Sequence, residues 1–226
     1  MPVLVLRPEP GCGATVKAAL ALGLDARAAP LFAVEPRAWA LPTARFDALL
    51  VGSANAFRHG GPSLESLHHL PTHVVGAATA EAARAAGFSI ARCGSGGLQG
   101  VLDAVPAGTR LLRMAGEERI DLTPPAGVSV EEIVVYASVP RALDPAILPV
   151  LEHGALVLLH SAEAARQFAD QCARLGIARS GVALATIGAR VTEAAGHGWR
   201  DVQTADEPSD AALLALAHRM CQSTPR

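Results

Sequence analysis

Residues that can bind an anion stand directly after several short apolar runs of the chain. They are Arg7, Ser53, Asn55, Gly76, Thr79, Arg113, Arg119, Ser161 and Gly188. If the runs are parallel strands, these residues lie at the carboxyl edge of a sheet, where open α/β folds bind their ligands. Hydroxyls, guanidinium groups and the free N–H groups of helix starts can all hold carboxylates. The pattern predicts a site for an anionic small molecule, although the hydroxyls could equally be helix caps and the arginines surface charges.

Tyr136 is the only tyrosine of the chain, and it ends a predicted strand. A phenol can donate a proton to a departing hydroxyl group or hold that group in place. Tyr136 could act in either way, and a half-buried structural tyrosine is the alternative interpretation.

Other motifs that could carry chemistry are incomplete. The segment 11–16 has two glycines of a dinucleotide fingerprint, but Val16 stands in place of the third, so dinucleotide binding is not favoured. The histidines of the segment 68–73 are separated by Pro71, which breaks the helix that would align them, and no metal site is predicted. The four cysteines form no CxxC pair and are expected to be reduced thiols.

Length and composition indicate a globular protein with substantial hydrophobic cores. The chain has 226 residues, of which 50% are hydrophobic, and its formal net charge is −2. This charge argues against nucleic-acid binding, which favours basic domains. No apolar run reaches the ~18 residues of a membrane helix, and the first residues have no signal-peptide pattern, so a cytoplasmic protein is expected.

Strand-like and helix-like segments alternate along the whole chain. The predicted strands lie at 3–6, 48–51, 74–75, 110–114, 133–136, 156–159 and 183–187. The predicted helices lie at 14–22, from 54 onward, and at 79–86, 162–175, 191–195 and 210–220. This alternation predicts an α/β fold with parallel sheets covered by helices on both faces.

The sequence contains two copies of one α/β unit with permuted parts. The segment 46–54 matches 154–162, because each is an apolar run ending in Ser-Ala, and 74–82 matches 186–194. The simplest fold has a discontinuous first domain, residues 1–33 and 139–226, and an inserted second domain, residues 36–136. Residues 31–36 and 134–140 would join the two domains as neighbouring linker strands. Such a double linker favours a ligand cleft between the domains.

With these features the chain resembles the uroporphyrinogen-III synthase family over nearly its whole length. The matching motifs, in order, are Val-Leu-Arg-Pro, Phe-Asp-Ala-Leu-Leu-x-x-Ser-Ala-Asn-Ala, Val-Gly-x-x-Thr-Ala, Leu-Leu-Arg-x-x-Gly-x-x-Arg, Val-Val-Tyr, a second Ser-Ala, a second Ile-Gly and Pro-Ser-Asp-Ala-Ala-Leu. Each motif is short, and their order together with the permuted duplication makes the resemblance specific.

The resemblance implies two similar α/β domains joined by a two-stranded linker, and a hydro-lyase of tetrapyrrole and haem biosynthesis. Members cyclise hydroxymethylbilane, a linear tetrapyrrole with eight carboxylates, to uroporphyrinogen III, inverting ring D and losing water. Neither a metal nor an organic cofactor is expected. The substrate is expected in the interdomain cleft, held by backbone N–H groups and hydroxyls, and the candidate acid maps onto Tyr136. A monomer is expected, with a transient hand-off from hydroxymethylbilane synthase as a further hypothesis.

The chain departs from the family pattern at three places. Ala77 and Ala189 replace a proline that many relatives have after glycine. Val191 stands where a threonine is frequent, and Thr192 follows one position later as the candidate hydroxyl. The first serine element has Ala54 in place of a proline.

Two functions from other classes stay open at this point. A non-catalytic two-domain protein that closes on an anionic ligand would share the double linker, because a fold does not determine a function. An enzyme that uses a dinucleotide is the third hypothesis, and the broken glycine fingerprint argues against it.

Overall fold

The computed structural model describes residues 1–222, which divide into two compact α/β units. Unit 1 consists of Met1–Ala33 and the chain from Val139 onward, and unit 2 consists of Val34–Ser138. Each unit has one mainly parallel sheet, so the predicted α/β fold class is confirmed. Among residues 1–222, no helix combines the length and apolar composition needed to cross a membrane.

The described chain forms eleven strands and eight α-helices. In chain order the strands are β1 (Val3–Val5), β2 (Ala26–Ala28), β3 (Phe32–Pro36), β4 (Ala48–Val51), β5 (Thr72–Val75), β6 (Ile90–Gly94), β7 (Arg110–Gly116), β8 (Ser129–Pro140), β9 (Leu156–Leu159), β10 (Ala183–Thr186) and β11 (Asp201–Thr204). The helices are α1 (Gly11–Ala21), α2 (Ala54–His59), α3 (Ala77–Ala85), α4 (Leu98–Asp103), α5 (Leu148–Glu152), α6 (Ala162–Leu175), α7 (Ala189–Ala195) and α8 (Asp210–Gln222).

The sheet of unit 1 is covered on both faces. Its five strands pair in parallel in the order β11-β10-β9-β1-β2. Successive side chains of a strand point to opposite faces, and accordingly Leu4 belongs to one apolar cluster whereas Val3 and Val5 belong to another. Phe168 of α6 packs in the first cluster and Leu213 of α8 in the second. The uninterrupted apolar strands therefore reflect burial on both faces.

The sheet of unit 2 has the strand order β3-β8-β7-β4-β5-β6. The pairs from β8 to β6 are parallel. Leu49 of β4 packs in a cluster with Phe57 of α2, and Leu50 packs in the opposite cluster with Leu102 of α4. Both faces of this sheet are therefore covered as well.

Strands β3 and β8 carry the chain between the two units and are neighbours in the sheet. The N–H of Arg37 donates to the carbonyl of Val135, and the N–H of Arg141 donates to the carbonyl of Leu31. These two bonds show that β3 and β8 run in opposite directions. β8 begins at Ser129, several residues before the predicted strand, because its first half pairs with β7. It also continues to Pro140 beside β3, so Tyr136 lies inside the strand and not at its end as predicted.

Three strands that the sequence pattern missed lie at the edges of the sheets. β2 and β11 flank the sheet of unit 1, and β6 is the last strand of unit 2. Edge strands cover little of the core, so most of their residues are exposed and they lack a continuous apolar run.

Helix α1 begins at Gly11, three residues earlier than predicted. Gly11 and Gly13 therefore belong to the first turns of the helix and do not form a loop.

Replacing Phe168 with Ala should lower the unfolding free energy of unit 1 by about 3–5 kcal/mol. The Phe168 ring is fully buried and stacks on Trp199, with ring centroids 5.4 Å apart. Urea unfolding followed by Trp199 fluorescence, in a Trp39→Phe background, measures the loss. Leu175→Ala is the control in the same helix, because Leu175 is 49% exposed, and it should change stability by less than ~0.5 kcal/mol. Equal losses in the two variants would contradict this assignment of the core.

Candidate functional site

A pocket of about 260 Å³ opens at the carboxyl edge of the unit 2 sheet. It lies where strands β4, β5 and β7 end beside the middle of β8, which is the ligand-binding edge of an open α/β fold. Its lining residues are Gly52, Ser53, Val75, Leu98, Arg113, Met114, Ala115, Gly116, Glu118, Arg119, Ile120 and Tyr136. The fold thus brings four of the predicted site residues, Ser53, Arg113, Arg119 and Tyr136, to one pocket.

Tyr136 lines this pocket from strand β8 with its side chain half-buried. Its backbone carbonyl accepts a hydrogen bond of 2.9 Å from the N–H of Glu117. Within residues 1–222, no hydrogen bond engages the phenol oxygen, so that hydroxyl can donate to a ligand in the pocket.

Arg113 and Arg119 share one carboxylate, that of Glu132 on β8. Arg113 is only 3% exposed, and its two terminal nitrogens bond Glu132 Oε1 and the carbonyl of Ile120. Arg119 Nε lies 2.8 Å from Glu132 Oε2, and 32% of its side chain is exposed. Arg119 is therefore the more accessible of the two arginines in this pocket. Arg113 lies inside β7 and not directly after a strand as predicted, and it is mainly held inside the unit.

Glu132 stays ionised at neutral pH. Burial alone would raise the pKa of Glu132, but the hydrogen bond from Arg119 and the charge of Arg113 outweigh burial and hold the pKa below its usual value. The Glu132 carboxylate thereby offsets one of the two positive charges of Arg113 and Arg119. Glu118 also lines the pocket and adds a second negative charge.

The two Ser-Ala elements serve as helix caps. Ser53 Oγ accepts from the N–H of Asn55 at the start of α2, and Ser161 Oγ accepts from the N–H of Ala164 at the start of α6. The Asn55 side chain oxygen accepts a bond of 3.4 Å from Arg58. A hydroxyl that accepts such a bond keeps its own proton for donation. Capping and ligand binding by Ser53 and Ser161 are therefore compatible.

The two glycine elements leave their helices uncapped. Gly76 precedes α3 and Gly188 precedes α7, and neither helix has a side-chain cap. Gly76 has φ of 82°, the left-handed conformation that favours glycine. The first N–H groups of α3, at Ala77 and Ala78, lie on exposed residues and remain available to an anion. Thr79 is only 7% exposed, so its hydroxyl is poorly placed to meet a ligand.

In unit 1, Arg7 is held by a carboxylate far along the chain. Arg7 Nη1 lies 2.9 Å from Asp210 Oδ1, and Asp210 also accepts from Thr15 and contacts His160 Nε2 at 2.9 Å. Burial lowers the pKa of His160, and the charge of Arg7 acts in the same direction against the opposing effect of Asp210. His160 is therefore neutral at pH 7.

Thr192, the second-copy hydroxyl, lies in a small cluster of threonines in unit 1. Its Oγ1 bonds Thr186 of β10 and lies 2.7 Å from the hydroxyl of Thr204 on β11. Val191 is 5% exposed and packs in the core. The position that a threonine often occupies in the family is thus a core position here.

Sequence reasoning missed the groups that hold the predicted residues in place. Glu132, Asp210 and His160 were not predicted as site residues, and neither was Gly116, although Gly116 belongs to the Leu-Leu-Arg-x-x-Gly-x-x-Arg motif. The two consecutive glutamates at 131–132, directly before the apolar run 133–135, were the one signal that could have drawn attention to Glu132. Within residues 1–222, no group of three His, Cys, Asp or Glu side chains could hold a metal ion.

Comparison with protein families gives a match over most of the chain. A family model described as uroporphyrinogen-III synthase HemD matches residues 13–215. Comparison with curated protein sequences gives no significant match.

Two solved structures show the fold that this chain shares. The uroporphyrinogen-III synthetase from Helicobacter pylori is 17% identical, with a TM-score of 0.64, over 97% of this chain and 100% of that one. A mutant uroporphyrinogen III synthase from the extremely thermophilic bacterium Thermus thermophilus is 16% identical, with a TM-score of 0.51, over 99% of this chain and 100% of that one.

Replacing Glu132 with Ala should lower the unfolding free energy by about 3 kcal/mol, the lower end of the ~3–5 kcal/mol for a broken buried pair. The variant leaves the buried Arg113 without its anion, and Glu132 itself is 32% exposed. Urea unfolding at pH 7 followed by circular dichroism measures the loss. The neighbouring Glu131→Ala is the control, because Glu131 pairs with Arg110 at the surface, and it should cost less than ~1 kcal/mol.

The difference between the Glu132 variant and the unmutated chain should also depend on pH. Because the folded pKa of Glu132 is depressed, its stabilisation is complete above the usual glutamate pKa of ~4.3 and is lost as the pH falls through the lower folded value. A difference that does not change between pH 7 and acid would contradict the ion pair.

Proposed function

We propose that this chain, which belongs to the uroporphyrinogen-III synthase family, cyclises hydroxymethylbilane to uroporphyrinogen III. The reaction inverts ring D and releases water, so the enzyme is a hydro-lyase. The observation that carries the proposal is the match of the family model to residues 13–215. The pocket of unit 2 supports it, because the pocket combines a free phenol, a hydroxyl and a guanidinium at the ligand-binding edge of a sheet.

The chemistry needs positioning more than a strong nucleophile. The terminal hydroxyl of the bilane must leave, and the substituted carbon of ring D then attacks the resulting azafulvene to form a spiro intermediate. The intermediate opens and closes again with ring D turned, while the pyrroles supply the electrons. The protein must assist the leaving hydroxyl and exclude simple head-to-tail closure, which gives the type I isomer. Fixed orientation of bound groups supplies this kind of control.

Tyr136 is the proposed acid for the leaving hydroxyl. Its phenol donates a proton, so the hydroxyl departs as water, and the phenolate regains a proton when the product forms. The support for this role is that the Tyr136 side chain lines the pocket and that its hydroxyl makes no hydrogen bond within residues 1–222.

The hydrogen-bond donors around the pocket are proposed to bind carboxylates of the substrate. In unit 2 these donors are the exposed part of Arg119, the Ser53 hydroxyl and the free N–H groups that follow Gly76. The pocket volume of about 260 Å³ lies below the ~300–1,000 Å³ of ordinary ligand pockets, so this pocket accepts only part of a tetrapyrrole. The proposed further contacts are Arg7, Asn55, Arg113, Ser161, Gly188 and Thr192, whereas the buried Thr79 is not proposed as a direct contact.

The proposal extends to the setting of the reaction. We place the enzyme in the cytoplasm as a monomer that takes its substrate from hydroxymethylbilane synthase. Because free hydroxymethylbilane can close head to tail into the type I isomer, a short transit between the two enzymes favours the type III product.

The isomer of the product tests the function directly. Purified protein mixed with porphobilinogen and hydroxymethylbilane synthase should shift the products from uroporphyrinogen I to uroporphyrinogen III. Oxidation to the porphyrins and chromatography separate the two isomers. The same mixture without this protein is the control. If type I alone forms in both mixtures, the synthase proposal is wrong, and binding of anionic ligands without turnover becomes the function to test.

Replacing Tyr136 with Phe should lower kcat by about 10²-fold with little change in KM, because the variant loses the proton donor and keeps the ring. Initial rates of uroporphyrinogen III formation measure the effect. The thermal midpoint of the variant should stay close to that of the unmutated chain, since no hydrogen bond to the phenol is lost. Normal turnover in the variant would exclude an essential role of the phenol.

A further inference from the structure

Gly116 and the ring of Tyr136 occupy adjoining space where β7 ends beside β8. Gly116 is the last residue of β7 and is buried, and its backbone partner in β8 is Tyr136. The pairing register shifts between Ala115 and Gly116. A Cβ atom at position 116 would lie 2.8 Å from Cε2 and Cζ of Tyr136 and 3.0 Å from its hydroxyl oxygen.

The backbone itself does not require glycine at position 116. Gly116 is not among the described glycines with positive φ, so an alanine could adopt its backbone conformation. The contact distances to the Tyr136 ring are far below the ~3.5–4.0 Å of an ordinary carbon–carbon contact. Glycine at position 116 therefore makes room for the Tyr136 ring, and the conformation of the strand does not require it.

The Tyr136 ring cannot easily yield to a methyl group. The strand that carries it is held by the bond from Glu117 N–H to the Tyr136 carbonyl. On the core side the ring packs against the apolar cluster that contains Val135. A methyl group at position 116 would push the end of the ring that bears the hydroxyl, because Cζ and the oxygen are among its nearest atoms.

We propose that Gly116 is a positioning residue that sets the direction of the Tyr136 hydroxyl in the pocket. The proposal rests on the proposed role of Tyr136 as the acid. In the Leu-Leu-Arg-x-x-Gly-x-x-Arg segment, the arginines hold Glu132 while the glycine leaves room for the phenol. Any side chain at position 116 moves the phenol oxygen away from the leaving hydroxyl, and a displacement of about 1 Å can lower a rate by ~10²-fold.

The experiment compares Gly116→Ala with Gly100→Ala. Gly100 lies in α4 of the same unit, and a Cβ there has no heavy atom within 4 Å. Because Tyr136 is the only tyrosine, incorporation of 3-fluorotyrosine makes the ¹⁹F spectrum report on that ring alone. Gly116→Ala should shift the ¹⁹F signal and lower kcat at least 10-fold, and Gly100→Ala should do neither. An unchanged ¹⁹F signal in Gly116→Ala would overturn the inference.

A second set of variants separates a contact with the ring from a general effect on folding. In a Tyr136→Ala background the ring is gone, so Gly116→Ala should no longer lower the urea midpoint. A loss of the same size in both backgrounds would overturn the inference, even if Gly116→Ala alone is poorly folded.

The kinetic readout distinguishes this inference from the proposed role of Tyr136. In a Tyr136→Phe background, Gly116→Ala should change kcat less than twofold, because the phenol it positions is absent. If Tyr136→Phe itself turns over normally, the proposed role of the phenol is wrong. The inferred effect of Gly116 on kcat is then wrong as well. If Tyr136→Phe is slow and Gly116→Ala is as active as the unmutated chain, the inference alone is wrong.

Discussion

The parallel pairing of β7 with β8 holds most of the groups of the candidate site. In this register Arg113 lies opposite Glu132 and Gly116 lies opposite Tyr136. Because side chains alternate between the faces of a strand, a slip of one residue would turn Glu132 and Tyr136 to the other face. The ion pair, the space for the phenol and the wall of the pocket therefore depend on one set of backbone hydrogen bonds.

The duplication of the α/β unit produces two kinds of helix start, and the two kinds differ in what they offer to a ligand. The serine elements at Ser53 and Ser161 satisfy their own helices and keep a hydroxyl proton to donate. The glycine elements at Gly76 and Gly188 have no side-chain cap, so their first N–H groups stay open. Both kinds supply neutral donors, which suit a substrate that carries many carboxylates.

The predicted arginines prove to be paired with carboxylates of the protein itself. Arg113 is bound by Glu132, and Arg7 is bound by Asp210. A guanidinium that is largely buried needs an anion, because an uncompensated charge inside a protein is costly. We propose that specific recognition in the pocket of unit 2 falls to the exposed part of Arg119, which also bonds Glu132, together with the neutral donors and the phenol.

The sequence by itself determined the α/β class, the duplicated unit and the central strands, because buried strands such as β4 and β9 have uninterrupted apolar residues. It also placed Ser53 directly after a buried strand, whereas Tyr136, predicted to end a strand, lies inside β8. The exposed edge strands and the carboxylates that hold the arginines were decided only by the tertiary structure. Arg7 and Asp210 are 203 residues apart in the chain, and Gly116 meets Tyr136 through strand register. Such contacts depend on how elements pair in space, which local sequence patterns do not encode.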